Sequence, residues 1–474
     1  MHASRGADRQ HLNTGDYRSV CARIKLAVIK NRAEIATTRS RMQALDIIEA
    51  GIMSVQPRSL MRSALHWDDS TRSLTVCGDR YRCDRGRLFV IGGGKASGRM
   101  AETLEEMLPP RLICAGVVTC KSIPEGFQER SIRLIPAGHP VPDESGVAAV
   151  ERMLALATDY STGASDLVVC LISGGGSALM PCPVDGVSLS HIQSVTSLLL
   201  HCGADIHQIN TVRKHLSRIA GGNLGRAFSP ARVISLIISD VIGNDLSVIA
   251  SGPTSPDPST FGDAWRIILD HGLLDRVPPA VLNHIKKGCQ GLAPETPKSL
   301  DNCHNYLIGD SRIALEAMAA AANRLGRRPL IVTSEMKGDT ETAARALALQ
   351  VSRTARAGHD VLLLGGETTP TLPDTHGKGG RNQHFAAAFL AAQRRFPGQW
   401  TLVAAGTDGS DFLPDVAGAI VDDQTARDMT DAELRSYVKG FDSWSLFERT
   451  RSHIVTGDTG TNVGDVVACL LEQG

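Results

Sequence analysis

Asp166-Leu-Val-Val-Cys-Leu-Ile-Ser173-Gly174-Gly175-Gly176-Ser177-Ala-Leu179 carries an unbroken apolar run straight into a serine-flanked glycine triplet. Continuous Val/Ile/Leu runs mark strands buried on both faces of a parallel sheet. Small, polar turns are where helices start. The stretch therefore reads as strand, tight loop, helix. Three glycines reach backbone angles closed to other residues, so successive N–H groups can turn toward one point. Such a nest binds anions, and a helix N-terminus behind it adds positive potential. The loop Ser173–Ser177 is thus a candidate cradle for a phosphate or a carboxylate.

The same pattern recurs along the chain. Leu88–Ile91 leads to Gly92-Gly-Gly-Lys95-Ala-Ser-Gly98, and Val233–Ile238 leads to Ser239-Asp240-Val-Ile-Gly-Asn-Asp245. Val361–Leu364 leads to Gly365-Gly-Glu367-Thr-Thr369, and Thr401–Ala405 to Gly406-Thr-Asp408-Gly409. His453–Val455 leads to Thr456-Gly-Asp-Thr-Gly-Thr-Asn462. Open α/β sheets bind ligands outside the carboxyl ends of their strands. These polar turns therefore read as parts of one site or of two facing sites.

The 474 residues suit two or three domains. An apolar fraction of 42% with 21% charged residues is an ordinary globular composition. Zero net charge argues against nucleic acid as a partner, and 4% aromatics leave few platforms for stacking bases. No apolar stretch approaches the ~20 residues of a membrane span. The eleven cysteines form no C-x-x-C pair and no zinc spacing, which fits reduced thiols. Residues 1–41 are basic, with nine Lys and Arg from Arg5 to Arg41, and lack an apolar signal core. They read as an extension of a cytoplasmic protein, with a mitochondrial transit peptide as the alternative.

From Met42 onward, strand signals alternate with helical patterns, as in βαβ units. A Gly- and Pro-containing stretch from Lys286 to His304 reads as a linker. The expectation is two α/β domains, 42–295 and 296–474, each with a mostly parallel sheet flanked by helices. Tyr306–Ile308 is then the first strand of the second domain. The cleft between domains is a preferred ligand site.

Several side chains at these turns carry chemistry. Lys95 follows its glycines directly. It is not a Walker A lysine, because Ala96 stands where a hydroxyl is required, yet it can still reach a phosphate as a point charge. Asn210, Arg213, Lys214 and Ser217 fall at i, i+3, i+4 and i+7, a helix face of donors that suits an anion or simply water. Asp240 and Asp245 sit just past a strand, where a carboxylate holds a divalent cation, takes a proton or closes an Asx turn. Ser251-Gly-Pro-Thr254 follows. Arg381, in Gly379-Gly-Arg-Asn-Gln383, can fork onto a carboxylate or phosphate. Glu367, Asp408 and Asp411 lie one strand before and after it. No G-x-G-x-x-G fingerprint and no G-x-S-x-G elbow is present. The inventory fits phosphoryl transfer, which needs positioning, cations and a base rather than a covalent nucleophile.

These ordered runs, with Asn210-Thr-Val-Arg-Lys-His-Leu-Ser217 and Ile249-Ala-Ser-Gly-Pro-Thr254 among them, resemble the class II glycerate kinases. The resemblance covers nearly everything from Met42 to the C-terminus. It implies a Rossmann-like N-terminal kinase domain followed by a MOFRL-type domain. It also implies ATP- and Mg2+-dependent phosphorylation of D-glycerate, usually to 2-phosphoglycerate. Some relatives of this family carry the label hydroxypyruvate reductase, and a glycerate 3-kinase is the other alternative. On this reading Lys95, Asp240, Arg381 and Asp408 are catalytic, with the base left open between Asp240 and Asp408. The loop Ser173, Gly174, Gly175, Gly176 and Ser177 holds the nucleotide with Asn210, Lys214 and Thr254. Asp245 and Glu367 hold Mg2+. A homodimer is left open.

Overall fold

The computed structural model describes residues 28–394 and 396–472. The basic segment 1–27, and with it the transit-peptide question, lies outside them. The apolar runs become two six-stranded sheets. The first holds β4 (Leu88–Gly93), β5 (Ile113–Cys120), β6 (Ile132–Pro136), β7 (Leu167–Ser173), β8 (Arg232–Ile238) and β9 (Cys303–Gly309). Their order is β6-β5-β4-β7-β8-β9, and every neighbouring pair is parallel. β4 and β7 are buried along their whole length, as unbroken apolar strands in a helix-covered sheet should be. A three-stranded antiparallel sheet, β1 (Leu65–Asp68), β2 (Ser73–Val76) and β3 (Asp79–Arg82), precedes it. β9 pairs with β8, so the first sheet continues past residue 295, and Tyr306–Ile308 belongs to it.

The strand order places the site. Successive strands leave β4 in one direction and then resume from β7 in the other. The sheet therefore reverses between β4 and β7, and ligands of doubly wound sheets sit at that reversal. The two glycine loops follow these two strands.

The second sheet departs from expectation. It joins β10 (Pro329–Met336), β11 (Val361–Gly366), β12 (Trp400–Gly406), β13 (Val416–Asp422), β14 (His453–Val455) and β15 (Asp465–Leu471) in the order β10-β11-β15-β12-β13-β14. Only β10 and β11 run parallel; the other four pairings are antiparallel. The mostly parallel sheet expected here is corrected on this point. The physical reason lies in the connections. Residues 407–415 between β12 and β13 are fewer than the dozen or so that a parallel crossover needs. β15, which closes the sheet between β11 and β12, was not read as a strand.

The helix Arg39–Ser54 lies near the start of the chain but packs mainly against the second half. It lies against the helix Ser311–Arg324 and against β12 and β15. Thr38 caps it by accepting the Arg41 N–H. Its buried face is Ala44, Leu45, Ile47, Ile48 and Ile52. Arg41 joins Asp422 at 2.6 Å in a buried pair, and Lys30 N–H donates to the Val455 carbonyl. The basic extension therefore does not run to residue 41; residues from Val28 are part of the folded body. Between β7 and β9, the helices Leu189–His201, Ile206–Lys214, Phe261–Asp270 and Pro279–Cys289 build a separate small core. No described helix is long and apolar enough to cross a membrane.

Candidate active site

The glycine loops after β4 and β7 are stitched together. Lys95 N–H donates to the Gly174 carbonyl at 2.9 Å, and Ala96 N–H donates to Ser173 Oγ at 2.9 Å. Gly94, at φ +151°, runs so close that an added Cβ would lie 2.2 Å from Ser173 Oγ. The Ser173 hydroxyl is thus spent inside the protein. Gly175, at φ +80°, is the N-cap of the short helix Gly176–Leu179. Only glycine takes that angle at little cost. Among the described residues no acceptor takes the N–H groups of Gly175 and Gly176. These two N–H groups are left free by the described residues, with Lys95 beside them.

A third loop props the nest. Ser177 Oγ lies 2.8 Å from Ser251 Oγ, which donates to Asn210 Oδ1 at 3.2 Å. Asn210 thus reaches the nest through Ser251. Ala250 and Ser251 both adopt left-handed angles, φ +51° and +60°, ahead of Gly252 at +61°. Strain of this kind persists only where the surroundings enforce it, and it concentrates at functional sites.

Asp240, after β8, abuts the nest so closely that a Cβ on Gly174 would fall 1.9 Å from its Oδ2. Burial raises its pKa, with Asp408 adding to the rise, while Lys95 and Arg381 pull it down. Its Oδ2 accepts a 2.7 Å hydrogen bond from Asn462, which comes from the second sheet. Lys95 makes the matching contact, 3.2 Å from Asp408 Oδ2.

The second sheet supplies Arg381, at the start of the helix Arg381–Gln393. Its Nε and Nη2 grip Asp465 at 2.6 and 3.0 Å, and Nη1 reaches Glu367 Oε1 at 2.8 Å. Burial works against this guanidinium, but Asp465 and Glu367 hold its pKa above the ordinary value. Burial likewise raises Glu367, opposed by Arg381 and reinforced by Asp465 and Asp240. Asp411 is a helix cap rather than a member of the cluster. Its carboxylate accepts the N–H groups of Asn382 and Gln383 at 2.9 and 2.8 Å. Burial pushes its pKa up to about 6.

Lys95, Asp240, Glu367, Arg381 and Asp408 are therefore brought together. Three other predicted residues are not. Lys214 is buried in an ion pair with Asp257 at 3.2 Å. Thr254 accepts from Ser235 and donates to Asn305, both at 2.8 Å. Asp245 is exposed and accepts the Ser247 N–H in its own Asx turn. The donor face read from Asn210 to Ser217 also breaks, because the helix ends at Lys214 and Ser217 caps the next turn. Asp465 and Asn462 went unread. Asn462 closes a polar turn already marked as a strand end, and Asp465 opens the strand that was missed.

Four carboxylates, Asp240, Glu367, Asp408 and Asp465, thus meet two cations, Lys95 and Arg381. That excess of negative charge suits a divalent cation. Among the described residues no three metal-ligating side chains are grouped to hold one unaided.

Comparison with known proteins agrees with this architecture. Residues 43–286 match the model described as a domain of unknown function, DUF4147, and residues 360–465 match the MOFRL family. A glycerate 2-kinase of Pyrococcus horikoshii is 37% identical over 446 residues, covering 91% of this chain and 98% of that protein. A putative hydroxypyruvate reductase of Agrobacterium vitis is 40% identical over 401 residues, covering 82% and 88%. The crystal structure of a glycerate kinase from Thermotoga maritima superposes with a TM-score of 0.78 at 34% identity, covering 91% of this chain and 99% of that one.

Proposed function

The chain belongs to the glycerate kinase family whose C-terminal part is the MOFRL domain, and from that premise we propose that it transfers the γ-phosphoryl group of ATP to the 2-hydroxyl of D-glycerate, with Mg2+, in the cleft between its two sheets. The observation that carries the reading is the glycine nest at the sheet reversal, with Lys95 and Asp240 beside it in contact with Asp408 and Asn462 of the second sheet. Phosphoryl transfer is catalysed by positioning and by charge placed around the phosphoryl oxygens.

The nest N–H groups of Gly175 and Gly176 and the Lys95 ammonium hold the nucleotide phosphates, with Asn210 bracing the nest through Ser251. Mg2+ bound with the nucleotide would neutralise phosphate charge, and Glu367 is the side chain that would hold it. Asp465 fixes one edge of Arg381. The glycerate carboxylate would take the place of Glu367 on the other edge, leaving Glu367 available to hold the cation. Asp240 orients the attacking hydroxyl and accepts its proton as the new O–P bond forms. Its raised pKa favours that role over Asp408, which is tied to Lys95.

The test is purified protein with ATP, Mg2+ and D-glycerate, coupled to enolase without phosphoglycerate mutase. Phosphoenolpyruvate formation is the expected result. Signal only after mutase is added would place the phosphate on the 3-hydroxyl. NADH oxidation with hydroxypyruvate, and no kinase signal, would favour the reductase activity named for the Agrobacterium relative.

A further inference from the structure

His139 lies in the loop that follows β6, outside every motif read from the sequence. The loop is fixed at both ends. Ala137 N–H donates to the Cys120 carbonyl, and Asp143 caps the helix Glu144–Asp159 by accepting the Gly146 N–H. The imidazole is thereby delivered to the nest. A Cβ built on Gly175 would stand 2.9 Å from both Cδ2 and Nε2 of His139, and 3.2 Å from Cγ of Lys95. The ring and the Lys95 stem thus flank the bare Cα of the nest glycine. The ring is half-buried, yet neither nitrogen has a hydrogen-bond partner among the described residues.

A half-buried ring packed against the bare Cα of the nest glycine and beside the Lys95 stem, with neither nitrogen engaged by the protein among the described residues, is placed to offer its N–H to a ligand held over Gly175. Burial, reinforced by Lys95 and Lys121 and opposed by Asp408, holds its pKa down at about 4. The ring is then neutral at pH 7, with one N–H donor and one acceptor. It offers a hydrogen bond without placing a third positive charge beside the two lysines.

We propose that His139 is a further substrate-contacting residue, donating an N–H hydrogen bond to an oxyanion held over Gly175 beside Lys95. The oxyanion is either the transferring phosphoryl group or the glycerate carboxylate. The inference rests on the reading of the nest as the phosphoryl-transfer site.

Three variants test it. His139→Phe keeps a flat ring against Gly175 and removes the donor, while His139→Gln and His139→Asn retain an amide N–H. A hydrogen bond to a charged group corresponds to roughly ten- to hundredfold in rate or affinity. The Phe variant should lose about that much kcat/KM, and at least one amide variant should recover part of it, with melting temperatures near the unaltered chain's. A fall in kcat with a rise in KM for ATP assigns the bond to the phosphoryl group. A rise in KM for D-glycerate alone assigns it to the carboxylate. A Phe variant within twofold of the unaltered chain overturns the inference, as do amide variants no better than Phe. Should the variants not fold, the 15N-labelled histidine ring of the unaltered chain should shift on saturation with a non-hydrolysable ATP analogue or with D-glycerate. A His139 signal unmoved by both ligands overturns it. An unaltered chain with no kinase turnover removes the functional reading, and the inference with it.

Discussion

Replacing Gly174 with alanine is the smallest change that should disable the site. Gly174 does not occupy a left-handed angle, so alanine brings no backbone strain there. The added methyl group would lie 1.9 Å from Asp240 Oδ2 and 2.4 Å from its Cγ. To reach an ordinary contact of 3.4 Å the carboxylate must retreat by about 1.5 Å. It cannot do so freely, because Asn462 holds the same oxygen at 2.7 Å from the opposite sheet. A misplacement of ~1 Å costs about a hundredfold in rate, so kcat should fall by about that factor. Overpacking costs roughly 1–3 kcal/mol, which lowers the melting temperature by about 2–10 °C for a domain of this size. Gly163→Ala is the control, since nothing lies within 4 Å of a Cβ there and its angle is not left-handed. The assay is the coupled kinase reaction beside a thermal melt, repeated in an Asp240→Asn background. If Asp240 carries the effect, the two substitutions are strongly non-additive. A Gly174→Ala protein with kcat within threefold of the unaltered chain would refute the reasoning, and so would simple additivity with Asp240→Asn.

Three further outcomes follow from the placement of individual residues. Lys214→Met strands the Asp257 carboxylate in the interior and should cost about 3 kcal/mol in urea unfolding, while KM for ATP stays unchanged in the protein that remains folded. Asp245→Ala should leave kcat and the Mg2+ dependence of the reaction within twofold, because its carboxylate serves only its own turn. Asp411 has a folded pKa of about 6, above its unfolded value, so the folded state holds a proton that the unfolded chain has released. Its contribution to stability is therefore greatest below about pH 4 and is lost as pH rises to about 6, by at most about 3 kcal/mol; stability measured across that window should be less steep in Asp411→Asn, and an unchanged slope would reject the assignment.

In the first sheet β4 and β7 were the most legible strands, because they are buried along their whole length and their sequences are unbroken apolar runs leading into glycine. The second sheet was only half legible. Its antiparallel direction depends on which strands neighbour one another; the run Val466–Leu471 of β15 is as apolar as the other strands, but nothing local to it says that it inserts between β11 and β12 from the far end of the chain. Arg381 was found by its glycine-rich loop ahead of a helix, and Lys95, Asp240, Asp408 and Glu367 by one rule, a charged side chain just past a strand. The same rule covers His139 after β6, but a histidine beside Ala137, Gly138 and Pro140 carries no formal charge to draw attention. Lys214 shows where composition misleads. Its helix looked like a face of donors, yet Asp257, 43 residues away in sequence, neutralises it. A lysine read without its partner looks like a ligand for anions.

The two cations of the site are held in different ways, and that difference assigns them different duties. Arg381 is gripped at two points by Asp465, which is only 1% exposed. Arg381 is itself about a third exposed, at 31%, but its departure would leave the buried Asp465 carboxylate unpaired, which costs several kcal/mol, so Arg381 stays fixed. Lys95 and Asp408 are each more than a fifth exposed, and an ion pair so accessible to water is worth no more than about 1 kcal/mol. Lys95 can therefore leave Asp408 for a phosphate at little cost. The contacts across the cleft at this point, Lys95 with Asp408 and Asp240 with Asn462, engage the same groups that are proposed to act on the substrates. Entry of the substrates must exchange those contacts. On the proposed function, release of Lys95 and Asp240 from these contacts and assembly of the reacting groups would be one event rather than two, with Arg381 as the fixed charge and Lys95 as the moving one.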